Sequence, residues 1–338
     1  MTSKERMLAT LRFEEDRIPH FETVFQLTQE AFGEDFPSPD ILRSATLSER
    51  DNFYATSAAL YAKIVDRYQW DALALWHPWA DPAMLPAARK VFGDSILLGI
   101  IIGDTIWSIE SIRDWDAFAA DLADAPERVH AVAEEKLQRS FKAFDCFIDN
   151  GADFIHLVND VAFNAGPFVS PAHFREFVTP YLHRAVAYIK ARGVLAFVHT
   201  DGNIMPVIDD YLSLGADLFQ SVDPMAGMDM AKVKAACHGK LPLMGNVQCS
   251  LLQEGPAAAI RQSARYCLEH GSPGGGYIFA TSNTIFKGMP LANYDCMLNE
   301  YRAFNAERVV KRSGLAQPRP PGARFHRQFN NTTLENPR

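Results

Sequence analysis

Cysteine pairs, long apolar runs and a signal-like N-terminus are all lacking in this chain of 338 residues. Its five cysteines are widely spaced, and no two of them show the CxxC spacing of a redox or metal-binding motif. The most apolar run, 96–102, is far shorter than the roughly 20 residues that cross a bilayer. These absences exclude a disulfide framework and a membrane span, and they predict a cytoplasmic protein.

Basic residues are also in the minority, with 33 Lys and Arg against 41 Asp and Glu and a formal net charge of −8. No long basic run is present, which argues against nucleic acid or an anionic membrane surface as the main partner. The glycines at 274–276 precede an apolar run, whereas a phosphate-binding loop follows a strand and opens a helix. We therefore expect a turn and not a nucleotide-binding loop at 274–276, and a small-molecule substrate in place of nucleic acid or a membrane.

Short apolar runs recur along the chain, and each is followed by a polar turn and then a helix-like segment. Apolar strands that alternate with helices indicate a parallel sheet covered on both faces. Eight such units predict an α/β fold of the (β/α)8 TIM-barrel type, although a doubly wound sheet uses the same local pattern. The eight runs are 18–23, 71–76, 96–102, 153–158, 194–199, 217–222, 241–246 and 276–281.

Two regions depart from this alternation. Residues 24–70 are too long for one barrel helix, so they predict extra helices inserted on the N-terminal side. Residues 313–338 are rich in Pro, Arg and Asn and poor in apolar side chains, which predicts a flexible tail that is disordered or draped over the surface. We therefore expect a single barrel domain over residues 1–312, followed by that tail.

Polar side chains collect after the apolar runs, where the active sites of (β/α)8 barrels lie. His199 and Asp201 end the fifth run, and positions i and i+2 of an extended strand face the same way. Asp223 and Cys249 follow the next two runs, and imidazole, carboxylate and thiolate all bind zinc. The pattern predicts a metal site formed by His199, Asp201, Asp223 and Cys249. Asp160, after the fourth run, joins His199 and Asp201 as a candidate catalytic residue.

Each of these residues also has a structural interpretation. A histidine at a strand end is commonly held by hydrogen bonds, and a buried cysteine behaves as a small apolar residue. Asp223 precedes Pro224 and could shape a turn, while Asp160 could cap a backbone N–H. The other strand ends predict an aromatic and mildly polar pocket. The predicted substrate-binding residues are His20, Glu22, Trp76, His77, Asn246 and Asn283.

Segments at or beside the last five apolar runs form a set with a definite order and spacing. The set comprises Asp160 with GPFVSP at 166–171, HTDGN at 199–203, DP at 223–224 with AGMD at 226–229, GNV at 245–247, GGGYI at 274–278, Pro290 and Asn293. From about residue 150 to 305 the chain thereby resembles the uroporphyrinogen decarboxylase superfamily. The resemblance implies a (β/α)8 barrel, in agreement with the independent count of strands.

That resemblance implies one of two chemistries: metal-free decarboxylation of uroporphyrinogen, or zinc-dependent methyl transfer linked to a corrinoid. True decarboxylases carry an arginine-rich motif resembling RQAGRYLPEY, whereas residues 17–25 here contain only Arg17. A substrate with eight carboxylates needs a cationic pocket, so the methyltransferase branch is favoured. In the coenzyme M methyltransferases that the chain resembles, strand five carries an HxC motif and a further cysteine follows strand eight. The corresponding residues here are His199-Thr200-Asp201 and the region of Ser282-Asn283, which has no cysteine.

The resemblance therefore implies a methyltransferase that moves a methyl group between a small methylated compound and a corrinoid carried by a partner protein, because the chain lacks a DxHxxG motif. Zinc held by His199 with Asp201, Asp223 or Cys249 would polarise the methyl donor. Two alternatives stay open: a metal-free decarboxylase of a smaller acid, and a non-catalytic binding protein on the same barrel. A homodimer is one of the open oligomeric states.

Overall fold

Seven parallel strands form the central sheet of the computed structural model, which describes residues 1–14, 17–237 and 239–312. The strand order is β1-β2-β3-β6-β7-β8-β9, with a small antiparallel hairpin formed by β4 and β5. The strands are β1 Ala72–Leu75, β2 Leu97–Gly103, β3 Phe154–Val158, β4 Ala162–Phe163, β5 Gly166–Pro167, β6 Leu195–His199, β7 Leu218–Gln220, β8 Leu243–Val247 and β9 Tyr277–Thr281. The expected 313–338 tail lies outside the described residues.

The first apolar run, 18–23, lies between the two edge strands of this sheet. The Phe279 N–H of β9 donates to the Pro19 carbonyl at 2.9 Å, and the Asp71 N–H donates to the His20 carbonyl at 2.8 Å. His20 and Phe279 form an isolated parallel bridge. The prediction of a TIM-barrel-like α/β fold is confirmed, but the first of the eight runs is a bridged segment and not a full strand. Pro19 has no N–H to donate to a ladder, which accounts for part of that difference.

Helices cover the outside of the sheet, and the strands of the central sheet are buried on both faces, as in β1, where every residue is buried. The helices are α1 Ser3–Leu11, α2 Thr28–Phe32, α3 Leu47–Tyr68, α4 Met84–Phe92, α5 Trp115–Asp124, α6 Pro126–Asp149, α7 Pro171–Phe177, α8 Thr179–Ala191, α9 Ile208–Ser213, α10 Met230–Cys237, α11 Cys249–Glu254, α12 Ala257–Gly271 and α13 Leu291–Arg312. Within the described ranges, none of them has the length and apolarity to cross a bilayer.

Helices α2 and α3 occupy much of the segment 24–70, where extra helices are predicted. Helix α3 begins at a capping box, in which the Glu49 N–H donates to Thr46 Oγ1 at 3.3 Å and the Thr46 N–H donates to the Glu49 carboxylate at 2.7 Å. It ends where Gln69 adopts a left-handed conformation with φ 57°. The division into one domain over 1–312 and a tail stays a prediction.

Three aspartates at the N-terminal ends of strands share one structural role. Each carboxylate accepts a hydrogen bond from the backbone N–H of a neighbouring strand or strand-like segment, and each also pairs with a Lys or Arg side chain. The aspartate and backbone partners are Asp71 with His20, Asp153 with Leu98, and Asp217 with Ala196. These carboxylates therefore fix the stagger between adjacent strands at the end of the barrel opposite the polar strand ends.

Candidate functional site

Three of the predicted site residues meet at the carboxyl ends of adjacent strands β3 and β6. His199 Nε2 lies 3.5 Å from Asp160 Oδ1 and 3.7 Å from Asp201 Oδ1. One ligand atom from each side chain lies within 4.8 Å of the other two. Asp160 follows β3 closely, and Val158 of that strand pairs in register with His199. We call these three side chains the His–Asp cluster.

Gln220, at the end of β7, fixes the orientation of the histidine. His199 Nδ1 is hydrogen-bonded to Gln220 Oε1, and Gln220 Nε2 donates to the Ser282 carbonyl at 3.3 Å. An amide oxygen can only accept, so His199 Nδ1 carries the proton and donates. In the neutral tautomer the Nε2 lone pair then faces the two carboxylates, as in histidines that bind metals.

The sequence reasoning did not select Gln220, although a signal was present. Gln220 is a polar residue at the end of the short buried strand β7, and it pairs in register with His199 across the sheet. A polar side chain in a buried strand needs a hydrogen-bond partner. That requirement, combined with the strand order, would have placed Gln220 beside His199.

The carboxylates of the His–Asp cluster are also held by hydrogen bonds. Asp201 Oδ1 accepts from Ser221 Oγ at 2.7 Å, and Asp201 Oδ2 accepts from Asn283 Nδ2. Asp160 Oδ1 accepts from the Asp201 N–H at 2.8 Å. The structure thus uses Asn283, a predicted substrate-binding residue, to orient Asp201. Its substrate-binding role stays a prediction.

Opposing effects set the ionisation of the cluster. Burial lowers the pKa of His199, but hydrogen bonds and charges from Asp160 and Asp201 outweigh it and raise the pKa above its ordinary value. Burial raises the pKa of Asp160, yet the hydrogen bond and charge of His199 bring it below the usual range. Asp201 keeps a raised pKa, mainly because it is buried. In the absence of a metal, the arrangement therefore favours an imidazolium beside an ionised Asp160.

Asp223 and Cys249, two of the predicted metal ligands, lie outside the cluster among the described residues. The Asp223 carboxylate accepts from the Gly202 N–H at 3.1 Å and the Met225 N–H at 2.9 Å, so it shapes the turn after β7. Cys249 is buried, and its sulfur accepts from Ser282 Oγ at 3.6 Å. Burial raises the pKa of the Cys249 thiol, which disfavours a thiolate there. Their ligand roles stay predictions that these contacts do not support.

Four predicted substrate-binding residues are engaged within the protein. His20 is enclosed between the sheet and α13, where its Nδ1 lies 2.8 Å from the Phe279 carbonyl and burial lowers its pKa to about 3. Asn246 Nδ2 donates to the Val222 carbonyl at 2.6 Å. His77 Nε2 donates to the Pro37 carbonyl at 2.9 Å, and Trp76 packs edge-on against the Tyr61 ring. Their predicted roles gain no support from this placement.

His156, which sequence reasoning did not select, lies next to His199 in the sheet. The two ring centroids are 6.0 Å apart, and burial lowers the pKa of His156 well below its ordinary value. Neither of its ring nitrogens has a hydrogen-bond partner in the described part of the chain. A histidine inside the otherwise apolar strand FIHLV was the available signal. His156 therefore provides a neutral, polar neighbour beside the cluster.

Glu22 is a fully buried carboxyl group beside Thr281. Its oxygens accept from the Thr281 N–H at 3.1 Å and from Thr281 Oγ1 at 2.7 Å. Burial raises the pKa of Glu22 to about 8, against the opposing effect of these hydrogen bonds. The folded state therefore holds this proton to higher pH than the unfolded chain does.

Raising the pH from 5 to 8 is expected to destabilise the protein relative to its Glu22→Gln variant. Because the pKa of Glu22 is raised on folding, its contribution to stability is fully present below the pKa that a glutamate has in the unfolded chain. That contribution is lost as the pH rises toward the folded-state pKa of about 8, by on the order of 4 kcal/mol. Urea unfolding at several pH values measures the difference. Glu254→Gln, at an exposed position on α11, is the matched control. Parallel pH profiles for wild type and Glu22→Gln would contradict the expectation.

A cavity of about 720 Å³ opens beside Asp160 at the carboxyl ends of β2 and β3. Its wall combines apolar and charged side chains, and most of the lining residues lie in the loop after β1, at the end of β2 and in the loop that follows β2. The lining residues are Trp79, Ala80, Ile102, Gly103, Asp104, Ser108, Glu110, Ser111, Arg113, Lys136, Val158 and Asp160. Because Asp160 belongs to both, the cavity adjoins the His–Asp cluster.

Comparison with known sequences gives a family model that matches the part of the chain that holds the cluster, and curated relatives that match about half of the chain. A family model described as uroporphyrinogen decarboxylase (URO-D) matches residues 108–304. The uroporphyrinogen decarboxylase of Chlorobaculum tepidum is 25% identical over 157 residues, which cover 45% of this chain and 42% of that protein. The enzyme of the same name from Azotobacter vinelandii is 28% identical over 187 residues, 52% of this chain and 48% of that protein. The chain thus spans about half the length of these curated relatives.

Comparison with solved structures supports the architecture. A structure described as a methyltransferase from Methanosarcina mazei is similar over 90% of this chain and 99% of that chain, with a TM-score of 0.71. The two sequences are 18% identical. At this identity the likeness establishes a shared fold and does not transfer an activity.

Proposed function

This chain belongs to the uroporphyrinogen decarboxylase family, and we propose that it is a zinc-dependent methyltransferase acting between a small methylated compound and a corrinoid held by a partner protein. The observation that carries the proposal is the His–Asp cluster at the mouth of the barrel. The shared fold with the methyltransferase of Methanosarcina mazei supports it. Catalytic groups of barrel enzymes lie at this end of the strands.

The donor set of the cluster fits a divalent metal. One imidazole nitrogen and two carboxylates lie close enough together to share an ion, and these are groups that bind zinc. His199 is prepared for this role because its Nδ1 proton is directed to Gln220. His199, Asp160 and Asp201 would hold the metal. When bound there, zinc would act as a Lewis acid on the oxygen or sulfur of the methyl donor.

The residues of the chain contribute orientation and charge around that position. Ser221 and Asn283 hold the Asp201 carboxylate from two sides, so its oxygens stay directed at His199. Asp160 borders the cavity in which a methylated compound would lie. A carboxylate at that position favours positive charge, and such charge develops on a methyl group during its transfer to a nucleophile.

Exposed apolar side chains surround the mouth and support docking of a corrinoid protein there. Trp79 follows β1, Phe163 lies in the β4–β5 hairpin after β3, and Met225 follows β7. These side chains are 58%, 48% and 55% exposed, respectively. Large apolar groups left exposed around a site favour association with another protein.

Metal analysis and a corrinoid assay test the proposal together. We expect stoichiometric zinc in purified protein, and conversion of cob(I)alamin to methylcobalamin in the presence of a methylated substrate. The absorption spectrum of the corrinoid follows the reaction, with a panel of methyl ethers, thioethers and methylamines as donors. If the protein does not bind zinc at micromolar concentration, the proposed zinc-dependent mechanism is refuted.

A metal-free decarboxylase of a small acid is the second candidate, favoured by the ionisation of the cluster. Two carboxylates raise the pKa of His199, so its imidazolium could protonate the carbon that loses carbon dioxide. Arg17 would not grip a substrate carboxylate, because it pairs with Asp71 at 2.8 Å. Release of carbon dioxide that a chelator does not diminish would favour this candidate over methyl transfer.

A further inference from the structure

The cavity beside Asp160 contains charges of both signs. Its acidic lining comprises Asp104, Glu110 and Asp160, and its basic lining comprises Arg113 and Lys136. A pocket for one small molecule usually orients it through a few such polar groups. The groups that lack partners inside the protein are therefore the ones available to a ligand.

Lys136 is already neutralised within the protein. Its ammonium group forms an ion pair with Asp104 and lies 5.7 Å from the centroid of the Trp107 ring. Arg139 forms a second ion pair with Asp104, at 2.5 Å. Lys136, in α6, is also almost completely buried, with 8% of its surface exposed. This lysine therefore has little capacity left for a substrate.

Arg113 is the opposite case. It is exposed and lines the cavity, yet within the described part of the chain its guanidinium has neither an ion pair nor a hydrogen bond. A guanidinium presents a planar fork of N–H donors that matches a carboxylate in a bidentate pair. Arg113 is therefore the cation that the cavity leaves free for an anionic ligand.

Arg113 also borders a second, smaller cavity of about 210 Å³. Ser111 and Arg113 line both cavities, whereas Asp160 lines only the larger one. Arg113 therefore borders both cavities, whereas the His–Asp cluster borders only the larger one, through Asp160. The smaller cavity has a largely apolar wall that includes Trp107, Ile112, Phe118, Val129 and Val132.

Taking the proposed methyl transfer as the premise, we infer that the methylated compound is a small monocarboxylic acid whose carboxylate pairs with Arg113 and whose methyl-bearing end faces the His–Asp cluster. The apolar walls of Trp79, Ile102 and Val158 would contact the body of the molecule. Arg113, the unpaired arginine among the described residues that line the cavity, matches a single carboxylate. It also agrees with the lack of a cationic pocket for a substrate with eight carboxylates.

The surrounding charges favour a carboxylate over a phosphate group. Glu110 and Asp160 line the same cavity as Arg113, and like charges repel in proportion to their product. A phosphate monoester carries more negative charge than a carboxylate at neutral pH. One guanidinium balances the single charge of a carboxylate and leaves a phosphate partly uncompensated.

Isothermal titration of the full-length, as-purified protein tests the inference without an activity assay. The probes are benzoate and phenylacetate, their neutral amides, and phenyl phosphate. We expect the acids to bind at least about tenfold more tightly than the amides and phenyl phosphate. Arg113→Gln should weaken acid binding at least about tenfold, and Arg113→Lys less. Arg302→Gln, at an exposed arginine of α13, is the matched control and should change nothing.

The outcomes separate this inference from the proposed function. Acid binding that Arg113→Gln leaves unchanged, an absence of acid binding, or a preference for phenyl phosphate would each overturn the inference, even if zinc and methyl transfer were found. Acid binding that depends on Arg113, in a protein without zinc or methyl transfer, would support the carboxylate site and refute the methyltransferase.

Discussion

Replacement of His199 by alanine is expected to remove stoichiometric zinc and to lower methyl transfer by roughly a thousandfold, because several kcal/mol of transition-state stabilisation depend on the bound metal. His199 supplies the single imidazole of the His–Asp cluster, and both carboxylates lie within 4 Å of its Nε2. Elemental analysis and the corrinoid assay measure the two effects. Retention of full zinc in the variant would show that His199 is not a ligand.

Two further variants show whether the loss comes from the imidazole itself or from its orientation. Gln220→Leu removes the acceptor of the His199 Nδ1 proton and leaves Nε2 in place, so zinc affinity should fall about 10- to 100-fold. His270→Ala, at an exposed histidine of α12, makes the same substitution away from the barrel mouth. Zinc content and activity should be unchanged in that control.

Replacement of Asp71 by alanine is expected to destabilise the fold by about 3–5 kcal/mol, the usual consequence of removing one partner from a buried ion pair. Asp71 is fully buried, and its carboxylate pairs with Arg6 and Arg17. It also accepts the His20 N–H at 3.0 Å, which ties the bridged first segment to β1. The substitution leaves two arginines and one backbone N–H without their acceptor.

Equilibrium unfolding in urea measures this effect, with Asp94→Ala as the control. The Asp94 side chain is 90% exposed and approaches Lys4 at 3.9 Å, so its loss should change the stability by less than about 1 kcal/mol. Asp71 lies at the end of the barrel opposite the His–Asp cluster. Zinc bound per folded Asp71→Ala molecule should therefore equal that of wild type. Equal stability of the two variants would contradict the structural role assigned to Asp71.

Arg17 illustrates a limit of reading function from sequence position. From the sequence it is the one arginine in the region where true decarboxylases carry several. In the structure, both guanidinium ends are engaged, one by Asp71 and the other by the Tyr301 hydroxyl. Those partners lie 54 and 284 positions away along the chain. Among the described residues that line the cavity, the unpaired cation is instead Arg113, which sequence reasoning did not select.

Only some residues of the candidate site could likewise be predicted from their position in the sequence. His199, Asp160 and Asp201 could be selected because polar residues after buried parallel strands meet at one end of a barrel. Asp223 and Cys249 follow the same rule in the sequence but lie outside the cluster. Asp223 accepts from the Met225 N–H of its own turn and from the Gly202 N–H of the loop after β6, and Cys249 is buried against Ser282. Position after a strand does not specify the direction of a side chain.

The sequence by itself determined the alternation of strands and helices, the barrel architecture and the end of the barrel at which polar residues gather. Those features follow from apolar runs, which must be buried on both faces wherever the chain folds. Only the tertiary structure decided which polar atoms are paired, as in the Gln220 contact of His199, and which have no partner among the described residues, as in the guanidinium of Arg113. Hydrogen-bond partners come from distant segments, and their meeting depends on strand register and side-chain direction, which a single strand does not encode.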